Sequence, residues 1–477
     1  MTFAREKLLE EVKRINDAQD GRKGVSVVVI GAPLSCLHIN GLFHAFLGHV
    51  DAGKSTLLGR LMYELGELDE KIRRANERGS SSAGKSSFSW AWGLDGTTEE
   101  RERGITMDIA LRSLKTTHRQ ITVLDAPGHK DFIPNMISGA SQADCALLVV
   151  DATTGEFEAG FEKGGQTREH LLLTRSLGVA QVIVAINKLD QVEWSESRYE
   201  EICAVLRPFL AQSGFHPSKT KFVPVGAMQG INLLQREGAD SSSLREWYSG
   251  PTLVDFLDQL DPPARDVTAP LRIPISNVFK GQGSGAVAVS GRLIAGIVQT
   301  GERLRVLPGD ESAIVKSIEV EDKFVPWAAA GSNATLNLSG IEAINLGIGS
   351  VLCPLTDLIP LATVFTARII VFDIQVPITA GTSVELHHHS RDVPATTLKL
   401  ISTIDRSSGN VIKSNPRVLT KGTSAEVQIG LRPSPVSNIA GRGIPLEPFS
   451  VNKDMGRILI RRAGETIAAG EFDIQHL

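Results

Sequence analysis

The sequence predicts an α/β domain of the phosphate-loop kind, with a mostly parallel sheet and helices on both faces, followed by two β-barrel domains. Three observations carry this. Between Val25 and about Gln259, short apolar runs alternate with helix-patterned segments, the grammar of a parallel sheet covered on both sides. After "DPPARDVTAP" the pattern changes to brief alternating runs between glycine turns, which is barrel grammar. The chain has 477 residues, more than one hydrophobic core organises.

Residues 2–20 read as an amphipathic helix ending at a "DGRKG" turn, so 1–24 is an N-terminal helix and linker. The α/β domain then spans 25–265. Its expected strands are "VSVVVI", "QITVLD", "DCALLVVD", "AQVIVAIN" and "KFVPVG"; its expected helices include "STLLGRLMYELGELDEKIRRANE" and "RYEEICAVLRPFLAQSG". The barrels are expected over 266–357 and 358–477, with linkers near 260–270 and 355–360. "LRIPISNVF", "GAVAVSGRL", "IVQTGERLRVL" and "AIVKSIEV" are strands of the first barrel.

Composition excludes several classes. No apolar run reaches the roughly 18–20 residues of a membrane span, and the charged N-terminal helix is no secretory leader, so a cytoplasmic location is expected. Net charge is −4, which gives no global pull toward nucleic acid. The four cysteines, Cys36, Cys145, Cys203 and Cys353, form no Cys-x-x-Cys pair and read as buried thiols.

"GHVDAGKST", Gly48–Thr56, carries the spacing G-x-x-x-x-G-K-[ST]. Small residues let successive backbone N–H groups close on phosphate oxygens. Lys54 adds charge and Ser55 offers a hydroxyl to Mg²⁺. "GSSSAGKS" at Gly79–Ser86 repeats the spacing but follows a helical run, so it reads as a loop and not a phosphate site. Asp125 ends a strand in "VLDAPGHKDF", where a carboxylate can hold Mg²⁺ through water; Gly128 can donate to a γ-phosphate and His129 can orient a water. Thr106, in "RERGITMD", can complete the Mg²⁺ shell. In "AINKLD", the Asp190 carboxylate can accept guanine N1–H and N2–H together, with Asn187 and Lys188 beside it. "VGAMQGINL" would close the base pocket through Gly226, Ala227 and Met228, with the Ala227 N–H near guanine O6.

Taken together, these motifs resemble the translational GTPases of the elongation factor one-alpha group, over about residues 25–477. "SFSWAWGLDGTTEERERGITMDIA", "VELHHHSRDVPATTLKLIS", "PRVLTKGTSAEVQI" and "PLEPF" look like the ribosome-rescue branch that partners Pelota, the HBS family. The termination GTPase of the release factor three type is the rival, and elongation factor one-alpha itself is third. The resemblance implies GTP/GDP and Mg²⁺ as ligands. Phosphates would be held by Gly48, Ala52, Gly53, Lys54, Ser55 and Thr56. Asp51 would hold a monovalent cation or the loop, and Ser55, Thr106 and Asp125 the metal. His129 would position water, with Thr106 and Lys54 completing the catalytic set. It further implies delivery of a Pelota-type protein to stalled ribosomes by a monomer without membrane association. His387–His389 reads as a barrel-edge segment in preference to a metal site.

Two departures stand out. Gly226 takes the place of a serine that braces the base-reading loop in this family, which implies weaker guanine affinity. The N-terminal ribosome-binding region of full-length relatives has no counterpart in this sequence.

A third irregularity precedes the phosphate loop. Removing seventeen residues, Ala32–Gly48 or equivalently Gly31–Leu47, leaves a seamless "VVVIGHVDAGKST". The segment has the length of a short intron left in frame. Closing such a loop costs about 2.5 kcal/mol, so the fold tolerates it more readily than the phosphate geometry does. Either "VSVVVI" or "LFHAFL" could serve as the central strand; valine and isoleucine density favours the first.

Overall fold

The computed structural model describes residues 5–18, 23–31, 52–68, 90, 110–125, 133–161, 166–236, 242–281, 287–321, 323–406, 408–432 and 443–472. It divides into two compact units, residues 18–263 and residues 1–17 together with 264–477.

The first unit is built on six strands: β1 (Lys23–Gly31), β2 (Ala110–Lys115), β3 (Arg119–Asp125), β4 (Cys145–Asp151), β5 (Gln181–Asn187) and β6 (Thr220–Pro224). Their order is β2-β3-β1-β4-β5-β6, and only the β2–β3 pair is antiparallel. Continuous apolar runs make this sheet possible. Every residue of "CALLVVD" is buried in β4, as a strand covered on both faces requires.

The sheet takes "VSVVVI" as its central strand. Val25 of β1 pairs with Ile121, and Val27 pairs with Cys145 on the other side. "LFHAFL" and the rest of 32–51 lie outside the described residues. Val25, Val27 and Val29 share a core with Leu57, Leu58 and Leu61 of helix α2 (Lys54–Glu64) and with Leu253, Val254 and Leu257. The apolar pattern after Ser55 suggests a longer helix. The structure ends it at Glu64, because Gly66 takes a left-handed φ of 75° and donates its N–H to the Tyr63 carbonyl. "RYEEICAVLRPFLAQ" lies within a helix over Glu196–Gln212, N-capped by Ser195.

The second unit contains two closed barrels of six strands. In the first, Arg303–Leu307, Val351–Pro354, Ile273–Lys280, Val287–Arg292, Asn333–Ser339 and Glu311–Val320 pair in that order. Pairing of Arg303 with Ile314 closes the ring. In the second, Ser383–His388, Arg457–Arg462, Glu465–Phe472, Val364–Val371, Ser424–Leu431 and Arg391–Ile404 do the same, closed between Ser383 and Thr396. Buried residues of strands such as Val364–Val371 and Ser424–Leu431 fill the barrel interior. The N-terminal helix α1 (Arg5–Ala18) buries Leu8 and Val12 against Ile297 of this unit.

One guanidinium ties the barrels together. Arg272 Nη2 lies 2.7 Å from Glu447 Oε1 and 2.8 Å from Asp357 Oδ1, and its Nε lies 2.9 Å from the same Glu447 oxygen. Arg272 and Glu447 are both buried.

The histidine run is not at a barrel edge. Its strand pairs on both sides, with Arg391–Ile404 and with Arg457–Arg462, because ring closure leaves no free edge there. All three histidines are buried, and the His388 Nε2 meets the Met455 carbonyl at 3.0 Å. No cluster of three metal-ligating side chains occurs among the described residues. Cys145, Cys203 and Cys353 are buried free thiols as expected; Cys36 lies outside the described residues. No described helix is long and apolar enough to cross a membrane.

Candidate functional site

The phosphate-loop sequence enters the described structure at Ala52. Gly53 turns the chain with φ 82° and ψ 28°, and its carbonyl accepts from the Leu57 N–H at 2.8 Å to start α2. Lys54, Ser55 and Thr56 form the first turn, with Lys54 buried, so the helix directs its positive end toward Ala52 and Gly53. A Cβ on Gly53 would stand 2.5 Å from Asn187 Nδ2, so glycine is required for close approach as well as for its φ.

Asn187 ends β5 and is buried. Its Nδ2 donates to the Ala52 carbonyl at 2.9 Å, and its Oδ1 accepts from the Ala227 N–H at 3.0 Å. One side-chain amide thus joins the phosphate loop to the turn that begins at Gly226. This gives the Ala227 N–H an acceptor other than the expected guanine O6, since a single N–H proton serves one strong bond at a time.

Lys188 follows with φ 61°, and its Nζ lies 2.6 Å from Asp151 Oδ2 at the end of β4. Asp151 also accepts from the Thr153 N–H at 2.9 Å and hydroxyl at 2.6 Å. Asp190 sits in the single 3₁₀ turn Leu189–Val192, half-buried, with its Oδ2 2.9 Å from Gln229 Nε2. Met228 is exposed, and its carbonyl lies 3.5 Å from Arg60 Nη1 on α2. Arg60 in turn pairs with Glu64 at 2.6 Å.

The structure therefore brings Ala52, Gly53, Asn187 and Ala227 together, with Lys54, Ser55 and Thr56 on the helix that follows. It places Lys188, Asp190, Gly226 and Met228 in two adjacent turns. Asp125 ends β3 with its Cα paired to Val29 of β1. Gly48, Asp51, Thr106, Gly128 and His129 lie outside the described residues, as does Gly79–Ser86. Sequence reasoning passed over Asp151, Gln229, Trp194 and Arg60. Only Asp151 carried a local signal, as a carboxylate ending an apolar strand; the others are defined by contacts across the fold.

A mostly parallel sheet with this helix start, joined to two closed barrels, defines the class of GTP-binding translation factors. Residues 41–263 match the elongation factor Tu GTP binding domain and residues 364–473 the GTP-eEF1A C-terminal domain-like family. The first match opens within 32–51, whereas the sheet takes its central strand from Lys23–Gly31. The chain is 41% identical to elongation factor 1-alpha of Aeropyrum pernix, across 89% of this chain and 94% of that protein. It is 45% identical to protein HBS1 of Drosophila melanogaster across 89% of this chain, and spans 62% of that longer protein's length. The GTPase-like domain of Saccharomyces cerevisiae Ski7, solved bound to GTP, shares the fold with a TM-score of 0.77 at 18% identity, covering 96% of this chain and 99% of that one. The chain belongs to the elongation factor 1-alpha family of translational GTPases, with its higher identity on the HBS1 side.

Proposed function

We propose that this chain is a guanine-nucleotide switch that hydrolyses GTP on the ribosome and delivers a Pelota-type partner to stalled ribosomes in the cytoplasm. The observation that carries the nucleotide part is the Asn187 amide, which holds the end of the phosphate loop and the base-side turn in one rigid frame. The residues fit the ligand. Gly53 leaves the space a backbone cradle needs, Lys54 supplies charge, and Asp190 offers a carboxylate to the two donors of guanine.

In this reading the Gly48–Ser55 backbone and Lys54 hold phosphates. Ser55, Thr106 and Asp125 would hold Mg²⁺, which when bound would neutralise phosphate charge. His129 orients the attacking water once the ribosome completes the site. The intrinsic rate is then slow, about 10⁻⁴–10⁻² s⁻¹. The Pelota assignment rests on the HBS1 identity and on the resembling segments of the last barrel.

A second reading is a nucleotide-impaired module that only grips its partner. It is favoured by the seventeen residues between the end of β1 and "HVDAGKST". Fluorescent GDP titration of the chain, with and without residues 32–48, separates the two. Micromolar or tighter binding by the intact chain supports the switch; binding only after deletion supports the module. Pull-down with purified Pelota against release factor one tests rescue against termination.

A further inference from the structure

We infer that Gln229 is the positioning residue that holds the Asp190 carboxylate for guanine, a role the backbone at Gly226 leaves without a side chain. The inference rests on the nucleotide site proposed above and specifies how that site achieves base selectivity.

Three observations converge. First, Gln229 Nε2 donates to Asp190 Oδ2 at 2.9 Å, the one hydrogen bond to that carboxylate among the described residues. Second, Gly226 has no side chain to supply the bond. A Cβ there would lie 3.0 Å from Trp194 Cη2 and 3.3 Å from Gln229 Oε1, so a side chain would fit only if the buried indole and the glutamine amide gave way by a few tenths of an ångström. The Trp194 backbone is anchored there, its carbonyl accepting from Trp247 Nε1 at 2.8 Å.

Third, the turn carrying Gln229 is built to hold it. The Gly226 carbonyl accepts from the N–H groups of Gly230 at 2.9 Å and Ile231 at 3.1 Å. Gly230 sits at φ 79°, with Arg60 Nε 2.7 Å from where its Cβ would be. A side chain at 230 would strain the turn at this φ and require the Arg60 and Glu64 side chains to move.

The chemistry permits guanine and Gln229 together. Each carboxylate oxygen has two lone-pair sites. Guanine N1–H and N2–H take one on each oxygen, and Gln229 takes the second on Oδ2. A half-buried carboxylate with no other hydrogen bond among the described residues rotates about χ2; the glutamine bond fixes its plane before the base arrives. A fixed plane matters most to a ligand that needs both oxygens at once. Inosine diphosphate, which lacks the exocyclic amine, needs one.

The test is equilibrium titration of the intact chain with GDP and inosine diphosphate, competed against fluorescent GDP. Gln229→Ala is expected to weaken GDP binding about tenfold and to lower the preference for GDP over inosine diphosphate at least ~3-fold. Gln229→Glu, which sets like charges together, is expected to weaken GDP further. Gln229 is exposed, so unchanged melting temperatures are expected for both variants.

If the unmodified chain binds GDP while Gln229→Ala keeps both its affinity and its nucleotide preference within twofold, the inference is wrong and the nucleotide site stands. If affinity falls with the preference unchanged, Gln229 supports the turn and does not orient Asp190, and the inference is equally overturned. If the unmodified chain binds no GDP, the proposed switch falls and this inference with it.

Discussion

A methyl group on Gly53 would meet Asn187 Nδ2 at 2.5 Å, and the residue would have to hold φ at 82°. Gly53→Ala is therefore expected to cost about 1–3 kcal/mol from the backbone conformation alone. It should also displace the Asn187 amide, abolishing GDP binding in a fluorescence titration while the chain still folds. Asn187 is the complementary case. Asn187→Ala orphans the buried Ala52 carbonyl and Ala227 N–H, about 1–3 kcal/mol each. Asn187→Asp keeps an acceptor for Ala227 but sets a carboxylate against the Ala52 carbonyl. Both substitutions are expected to speed fluorescent GDP release, and equal release from Asn187→Asp and the unmodified chain would remove the bridging role. The residue types of this frame were legible in sequence, because glycine and the Asn-Lys-x-Asp run are short local patterns. The partners of Asn187 were not. They lie 135 and 40 residues away, and which atoms meet depends on where β5 ends relative to the loop.

Elements show the same division. Strand β4 announced itself through an unbroken apolar run, and its neighbours follow from that pattern. The end of α2 was harder to place, since helix-forming residues continue beyond Glu64 and only the conformation of Gly66 stops the helix. The histidine strand was misplaced to an edge because closure of a barrel is not a local property. Its burial has a measurable consequence. Burial lowers the His387 and His389 pKa to about 4, and lowers His388 as well. Well above pH ~6.5 folded and unfolded chains both carry these histidines neutral, so nothing is lost. As pH falls from there toward 4, the unfolded chain takes up protons that the folded barrel refuses, costing up to about 1.4 kcal/mol per histidine per pH unit. The melting temperature is expected to drop between pH 7.5 and 5.5, and His387→Leu with His389→Leu should flatten that dependence. An unchanged slope in the double variant would assign the pH effect elsewhere.

At the scale of the whole molecule, the described barrels share the buried ion pair of Arg272 with Glu447. Arg272→Met strands a buried carboxylate and is expected to cost about 3–5 kcal/mol, read as a lower midpoint in urea. Adding Glu447→Leu should recover most of that loss, because removing both charges also removes the desolvation penalty. A double variant no more stable than the single one would show that shape, not charge, governs this contact.

The sequence by itself determined the element types, the parallel sheet and the change to barrel strands, and it named the residues proposed to hold a nucleotide. Periodicity and short motifs encode these within a few neighbouring residues. Tertiary structure bore out "VSVVVI" as the central strand, which its valine and isoleucine density had favoured, and it alone decided that Asn187 bridges Ala52 and Ala227 and that Gln229 rests on Asp190. It also decided that Arg272 finds Glu447, 175 residues away. Such pairings are set by which surfaces become adjacent once apolar faces are buried, and no local window of the chain contains both partners.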